Sequence, residues 1–462
     1  MTTQSKPATA FRAALDGRVL EPADPEYDGA RRVWNGMIDK HPRLIVQAAT
    51  AEDVIRTVQL ARETGLSLAI RGGGHNVAGN GTVDDGILLD LAALNTVQVD
   101  VVARLVTVGA GARLADVDRA TEPYGLAVPI GVVSGTGIAG LTLGGGVGWL
   151  VRAHGLTVDN LVAADVVLAS GEQVRASATE HIDLFWGLRG GGGNFGVVTS
   201  FTFRAHPLGP DVLAGSLVYE LERWPEALRS FARLAPELPD ELTTLMTFMV
   251  PPADWEMGSR ALLFMGLAWA GSDRAEGEAA VDRLRVACPP DVTLFDPTTW
   301  RTFQSAFDAI LPNGLRAYWR NASFAGLDDG LIDALVEHLG AQTWFGTAAD
   351  LHHMGGAFGR VGEDETAFPN RAAQYWLNVY GFWDDPADDT ERTAWVKRTS
   401  DAVRPHAMVG QYVNFLGDDQ GDAIEKALAV YGGPKLDRLM AVKGRYDPEN
   451  LFRINHNIPP GR

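Results

Sequence analysis

The chain has 462 residues, 46% of them apolar, a formal net charge of -18 and one cysteine, Cys288. That length exceeds what one hydrophobic core usually organises, so two domains are expected, and the apolar fraction can fill them without covalent staples. The acidic field disfavours nucleic acid and anionic membrane surfaces; a lone cysteine excludes an internal disulfide and a cysteine metal cluster; no apolar run approaches the roughly 20 residues of a membrane helix.

The first ten residues, Met1 to Ala10, lack the basic start and apolar centre of a secretory signal, so the expectation is a cytoplasmic protein in a reducing compartment. Thr50 and Asp53 cap a predicted amphipathic helix that Gly65 stops before a strand at Leu66 to Ile70. Short β runs follow at Gly86 to Leu91, Thr96 to Val101 and Leu105 to Val108, with a helical pattern from Arg113 to Tyr124. A strand from Leu161 to Ala169 turns at Ser170-Gly171 into Gln173 to Ala176, a short helix covers His181 to Leu188, and a strand covers Gly196 to Phe203.

Texture changes after Pro210. Strands carrying aromatics and methionine are predicted at Val212 to Leu221, Leu242 to Val250, Ala261 to Ala270, Arg316 to Phe324, Ala349 to Val361 and Ala372 to Phe382. Helices fall near Pro225 to Leu234, Arg274 to Val286, Trp300 to Ile310 and Leu331 to Leu339. Alternating strands interrupted by helices predict an α+β fold with an antiparallel sheet flanked by helices on one face, the other face being free to cover something. A last helix is read from Ala423 to Tyr431.

Two glycine clusters carry the chemistry. In Arg71-Gly72-Gly73-Gly74-His75-Asn76, three glycines let backbone amides approach a bulky anion while His75 is held beside it. Gly137 to Trp149 repeats the theme, with Gly140, Gly144, Gly145 and Gly146. Neither cluster has the lysine and hydroxyl of a P-loop, nor the strand, GxGxxG, helix and later acid of a Rossmann fingerprint. Together they point to a large phosphate-bearing cofactor whose charge is met by main-chain N–H groups.

The runs Leu66 to Asn76, Gly131 to Trp149, Leu184 to Val198 and Tyr446 to Pro460 give the whole chain a resemblance to the FAD-linked oxidases of the berberine bridge enzyme type, within the vanillyl-alcohol oxidase superfamily. The resemblance implies a two-part, PCMH-type FAD-binding domain, at residues 1–208 and 408–462, interrupted by a substrate domain at 209–407 whose sheet roofs the flavin. It implies that His75 bonds covalently to the flavin 8α-methyl. Many relatives add a cysteinyl bond, but Val133 occupies that position here and Cys288 lies far away, so a single histidyl linkage is expected. Arg71, Gly72, Gly73, Gly74, Asn76, Thr136, Gly137, Gly140, Gly144, Gly145, Gly146 and Val198 are the implied cofactor contacts, with Asn414 and Asn455 reaching the flavin end. Trp149 and Trp186 are read as packing.

Oxidising an alcohol or amine carbon also requires a base for the O–H or N–H proton. The candidates are Tyr412, which shares a strand face with Asn414, and His352 or His353, whose adjacent side chains point to opposite faces of a strand and so cannot share one metal. Phe415 removes a further phenol that the resemblance would place there. Thr136 stands at the oxygen-reactive edge by the same resemblance, where its modest size leaves room for O2. Among the roof aromatics, Phe248, Met249, Phe264, Met265, Tyr318, Trp319, Tyr375 and Trp376 either face a ring-containing substrate or fill the core. The expected activity is an FAD-dependent oxidase acting on a CH–OH or CH–NH group of an alkaloid, polyketide or sugar, with O2 as partner, no metal, and a monomeric or homodimeric state. The alternatives are a dehydrogenase with another acceptor, or a flavin-binding protein without turnover.

Overall fold

The computed structural model describes residues 11–417 and 422–461, so the expectation for the first ten residues lies outside the described part. The predicted capped helix is present. Thr50 accepts a hydrogen bond from the Asp53 N–H, Asp53 answers from the N-cap backbone, and Gly65 ends the Ala51–Thr64 helix in the left-handed region at φ 69°. That reciprocal cap fixes where the next strand starts, because Gly65 reverses the chain directly into Leu68–Arg71.

Leu68–Arg71 is the edge of a four-stranded sheet with Ile87–Asp90, Leu44–Gln47 and Arg18–Leu20. A five-stranded antiparallel sheet follows in the order Val97–Asp100, Leu105–Gly109, Val197–Arg204, Leu161–Val167, Gln173–Ser177. A seven-stranded antiparallel sheet holds the middle of the chain, ordered Val292–Leu294, Ala214–Glu220, Leu262–Trp269, Leu242–Met249, Thr347–His353, Tyr375–Trp383, Arg316–Phe324. Every pairing in the last sheet is antiparallel, so alternate residues along each strand face opposite sides.

One side of this sheet packs on helices Trp224–Leu234, Arg274–Ala287, Asp329–Gly340 and Asp389–Val403 through Leu217, Met246, Phe248, Leu351 and Leu377. The opposite side carries Leu245, Met249, Phe264 and Tyr380 toward the glycine-rich half. This is the α+β architecture expected, with helices on one face of the antiparallel sheet. Residues near the C-terminus, including Val413, Leu439, Tyr446 and Ile458, share one core with Val46, Ile87, Val108 and Phe201.

Three expectations need correction. The strand predicted from Ala349 to Val361 ends at His353, since Gly355 and Gly356 at φ 76° and 51° turn the chain into a short helix, Gly356–Arg360. The helix predicted over Trp300 to Ile310 breaks after Gln304 and resumes as a single 3₁₀ turn, Asp308–Ile310. Tyr412 and Asn414 do not lie on a strand: Val413–Phe415 is a 3₁₀ turn. Helices that escaped the sequence pattern include Ile138–Gly144 inside the second glycine cluster, Asp389–Val403 and Gly433–Tyr446. Among the described residues no helix is long and apolar enough to cross a membrane.

Candidate active site

Between the glycine loops and the seven-stranded sheet runs a cleft of about 1840 Å³, counting the space at its mouth.

Backbone makes the floor. The loops Gly72-Gly73-Gly74 and Thr136-Gly137 pass so closely that a Cβ on Gly73 would run into the backbone of Gly137, and the reverse holds. Gly140 and Gly193 also line the cleft, and an added Cβ at either meets no protein atom. His75, Asn76, Thr136, Val198, Asn414 and Asn455 line the same floor, together with Val133.

Arg71 lines the cleft too, but its guanidinium is taken. It pairs with Asp90 at 2.8 Å and donates to the Arg32 carbonyl at 3.0 Å, so it braces the loop and leaves an anion to the main-chain N–H groups. Gly144, Gly145 and Gly146 do not line the cleft, a correction with a steric reason. A side chain on Gly144 would enter Asn414, one on Gly145 would enter Phe368 and one on Gly146 would enter Thr157, so these glycines exist for close packing. Trp149 and Trp186 are buried at 3% exposure, as packing residues should be.

His75 lies against Trp34 with ring centroids 4.6 Å apart and planes 19° from parallel. Burial lowers its pKa to about 4, with Arg113 adding to the shift, so the imidazole is neutral near pH 7.

Side chains make the roof. Thr247, Asp350 and Asn378 are level with one another across three strands. The Asp350 carboxylate accepts from Thr247 Oγ1 at 2.7 Å and from the Tyr380 hydroxyl at 3.1 Å. Enclosure pushes its pKa up to about 6 despite both donors. Two residues on, His352 shares the face of Asp350; burial lowers it to about 4 and its ring lies 6.0 Å from that of Phe415. Trp319 and Tyr380 complete the roof, and of the predicted aromatic and methionine candidates only Trp319 lines the cleft.

His353 is turned away, as strand alternation requires. It stacks on Tyr375 at 5.5 Å on the helix-covered side, and its Nε2 accepts from Arg152 at 3.0 Å; burial, with the Arg152 charge adding to it, drives its pKa well below the usual range. It has no access to the cleft, so it is no candidate base. Tyr412 lines the cleft, yet its hydroxyl accepts from the Gly146 N–H at 2.8 Å and from Asn414 Nδ2 at 2.9 Å, and burial raises its pKa to about 12. A phenol that ionises only at high pH stays protonated near neutrality and is a poor general base.

Asp350, Asn378, Tyr380 and Trp34 were not singled out by sequence reasoning. The available signal was the i, i+2 spacing of Asp350 and His352, which places the two on one face; pairing with Thr247 and Tyr380 lies in register that one strand cannot reveal.

Three polar atoms of cleft residues, Asn378 Oδ1, Trp319 Nε1 and Asn455 Oδ1, are buried without a hydrogen-bond partner among the described residues. They mark both the roof and the glycine end as places where a polar ligand completes the bonding. With the main-chain cradle and neutral His75, the residues present fit FAD.

Comparison with known proteins agrees. The family profile described as FAD binding domain matches residues 42–177, and the one described as berberine and berberine like matches residues 411–459. The chain is 31% identical over 473 residues to the (R)-6-hydroxynicotine oxidase of Paenarthrobacter nicotinovorans, covering 99% of each. The crystal structure of 6-hydroxy-D-nicotine oxidase from Arthrobacter nicotinovorans superposes with a TM-score of 0.86 at 26% identity, over 97% of this chain and 99% of that one. A glucooligosaccharide oxidase of Acremonium strictum, whose structure revealed a novel flavinylation, superposes with a TM-score of 0.86 at 25% identity over 98% of each.

Proposed function

Because the chain belongs to the berberine bridge enzyme-like family of FAD-linked oxidoreductases, we propose that it is an oxidase for a CH–OH or CH–NH group of a small organic substrate, an alkaloid, polyketide or sugar, with Asp350 as the base. The flavin would be held by one histidyl bond, at His75, since Val133 stands at the cysteine position. FAD, when bound, supplies the hydride acceptor and returns the electrons to O2 as hydrogen peroxide. The main-chain N–H groups around Gly72 to Gly74 and Gly137 hold its diphosphate.

The observation that carries this reading is the roof carboxylate. Asp350 opens onto the cleft that His75 lines, bonded to two hydroxyl donors and placed among Trp319, Tyr380 and His352. Above pH 6 it is ionised and takes the O–H or N–H proton as the C–H bond breaks. Tyr380 and Thr247 aim its oxygens; neutral His352 and the Asn378 amide orient the substrate; the aromatic walls exclude water. Tyr412 holds Asn414 in place, and Thr136 leaves room for O2 at the floor. A related enzyme acts on 6-hydroxynicotine, which fits a ring-walled roof. Residues 1–208 and 408–462 would form the cofactor half and 209–407 the substrate half.

Two measurements test the proposal. Acid-precipitated, washed protein should stay yellow and yield one flavin-bearing peptide, the one containing His75. Photoreduced protein mixed with air-saturated buffer should reoxidise within seconds; slower reoxidation would assign it to the dehydrogenases.

A further inference from the structure

The segment Trp34-Asn35-Gly36 ties the His75 loop to the roof. The Trp34 N–H donates to the Gly74 carbonyl at 2.9 Å, and the Trp34 carbonyl accepts from the Gly314 N–H at 2.9 Å. Asn35 bridges the two halves with its side chain: Nδ2 donates to the Val77 carbonyl at 2.7 Å and to the Ala317 carbonyl at 2.9 Å, while Oδ1 accepts from the Ala317 N–H at 3.0 Å. Gly36 N–H donates to the Leu315 carbonyl at 2.8 Å. Trp34 itself is 3% exposed, and its Nε1 donates to the Leu311 carbonyl at 3.2 Å. The indole is thus fixed from both halves before it meets the imidazole of His75.

Resting on the histidyl linkage proposed above, we propose that Trp34 is a positioning residue for attachment of the flavin: its indole sets the plane of the His75 imidazole and shields that ring from water. Attachment forms one bond, from a ring nitrogen of His75 to the 8α carbon. It breaks one C–H bond of that methyl and the imidazole N–H, and the two electrons and two protons reduce the flavin, which O2 then reoxidises with release of hydrogen peroxide. Only a neutral imidazole has the lone pair this needs.

The surroundings of His75 agree with that requirement. Trp34 and Trp319, which flank the ring at 4.6 and 6.3 Å, carry no charge. Of the charged groups, Arg113 disfavours the imidazolium, and Arg71 on the same loop is neutralised by Asp90. Asp350, His352 and Tyr380 line the same cleft from the roof. Trp34 covers one face of the imidazole, and its loss uncovers that face.

The test uses full-length apoprotein produced under riboflavin limitation and then incubated with FAD, following flavin on the His75 peptide with time. Wild type and Trp34→Phe, which keeps a flat ring over the imidazole, should attach flavin at rates that barely change from pH ~5.5 to ~7.5. Trp34→Leu should still bind FAD but attach it about tenfold more slowly at pH ~5.5 than at ~7.5, because a histidine near its ordinary ~6.5 is about nine-tenths protonated at the lower pH. A merely structural role would lower the melting temperature without creating that slope. Should Trp34→Leu not fold, Trp34→Met carries the same expectation. Equal rates and a flat profile in the apolar variant overturn the role of Trp34 while leaving the linkage standing. Wild-type protein with no bond at His75 overturns both.

Discussion

The floor and the roof of the cleft recognise their ligands by different means. The floor is main chain: Gly73 and Gly137 interlock so tightly that neither tolerates a Cβ, and the arginine that lines it, Arg71, is spent on Asp90. The roof is side chains: Thr247, Asp350, Asn378, Tyr380 and Trp319 come from four strands and meet only through register. Backbone geometry serves a ligand that never changes, whereas side chains on a rigid sheet can be exchanged one at a time without unfolding it. The contrast explains how one fold can serve proteins as different as a hydroxynicotine oxidase and a glucooligosaccharide oxidase.

Substitutions on the two surfaces should therefore fail differently. Gly137→Ala has the largest expected effect: its Cβ meets the Gly73 backbone, which cannot yield, so the protein should emerge without flavin. A yellow, fully loaded Gly137→Ala protein would break the contrast. Next in size, Asp350→Asn should retain its flavin and lose turnover by about 10²–10⁴-fold, the usual worth of a general base. Retained turnover would move the base elsewhere on the roof.

Smaller effects sharpen the picture. In wild type, kcat/KM should fall about tenfold per pH unit below pH 6, because the raised pKa of Asp350 leaves it protonated and inactive on the acid side. Tyr380→Phe removes one donor to the carboxylate and should move that limb to higher pH, with a loss of about tenfold in rate near neutrality. An unshifted limb would detach Tyr380 from Asp350. The smallest effect on activity belongs to His353→Ala. Behind the sheet, it should cost about 1–3 kcal/mol of stability, by stranding one Arg152 donor, while turnover stays within about twofold.

Legibility followed the same division. His75, Gly72 to Gly74, Gly137 and Gly140 were found in the sequence, as glycine at such density has few explanations other than close approach of main chain. Gly144 to Gly146 share that signature but use it against Asn414, Phe368 and Thr157, a distinction that only packing makes. Periodicity marked most strands and helices, including Arg316–Phe324 and Ala423–Tyr431 to the residue. It failed at the Gly355-Gly356 turn and at Val413–Phe415, where short-range geometry overrides an extended pattern.

By itself, then, the sequence determined the α+β class, the glycine cradle and the histidine beside it, because each is written in neighbouring residues. Which histidine faces the cleft, which tyrosine meets Asp350, and that Trp34 lies on His75 were decided by tertiary structure alone. Those contacts join residues 30 or more positions apart, and their geometry is fixed by strand register and by the docking of two cores, neither of which leaves a local trace.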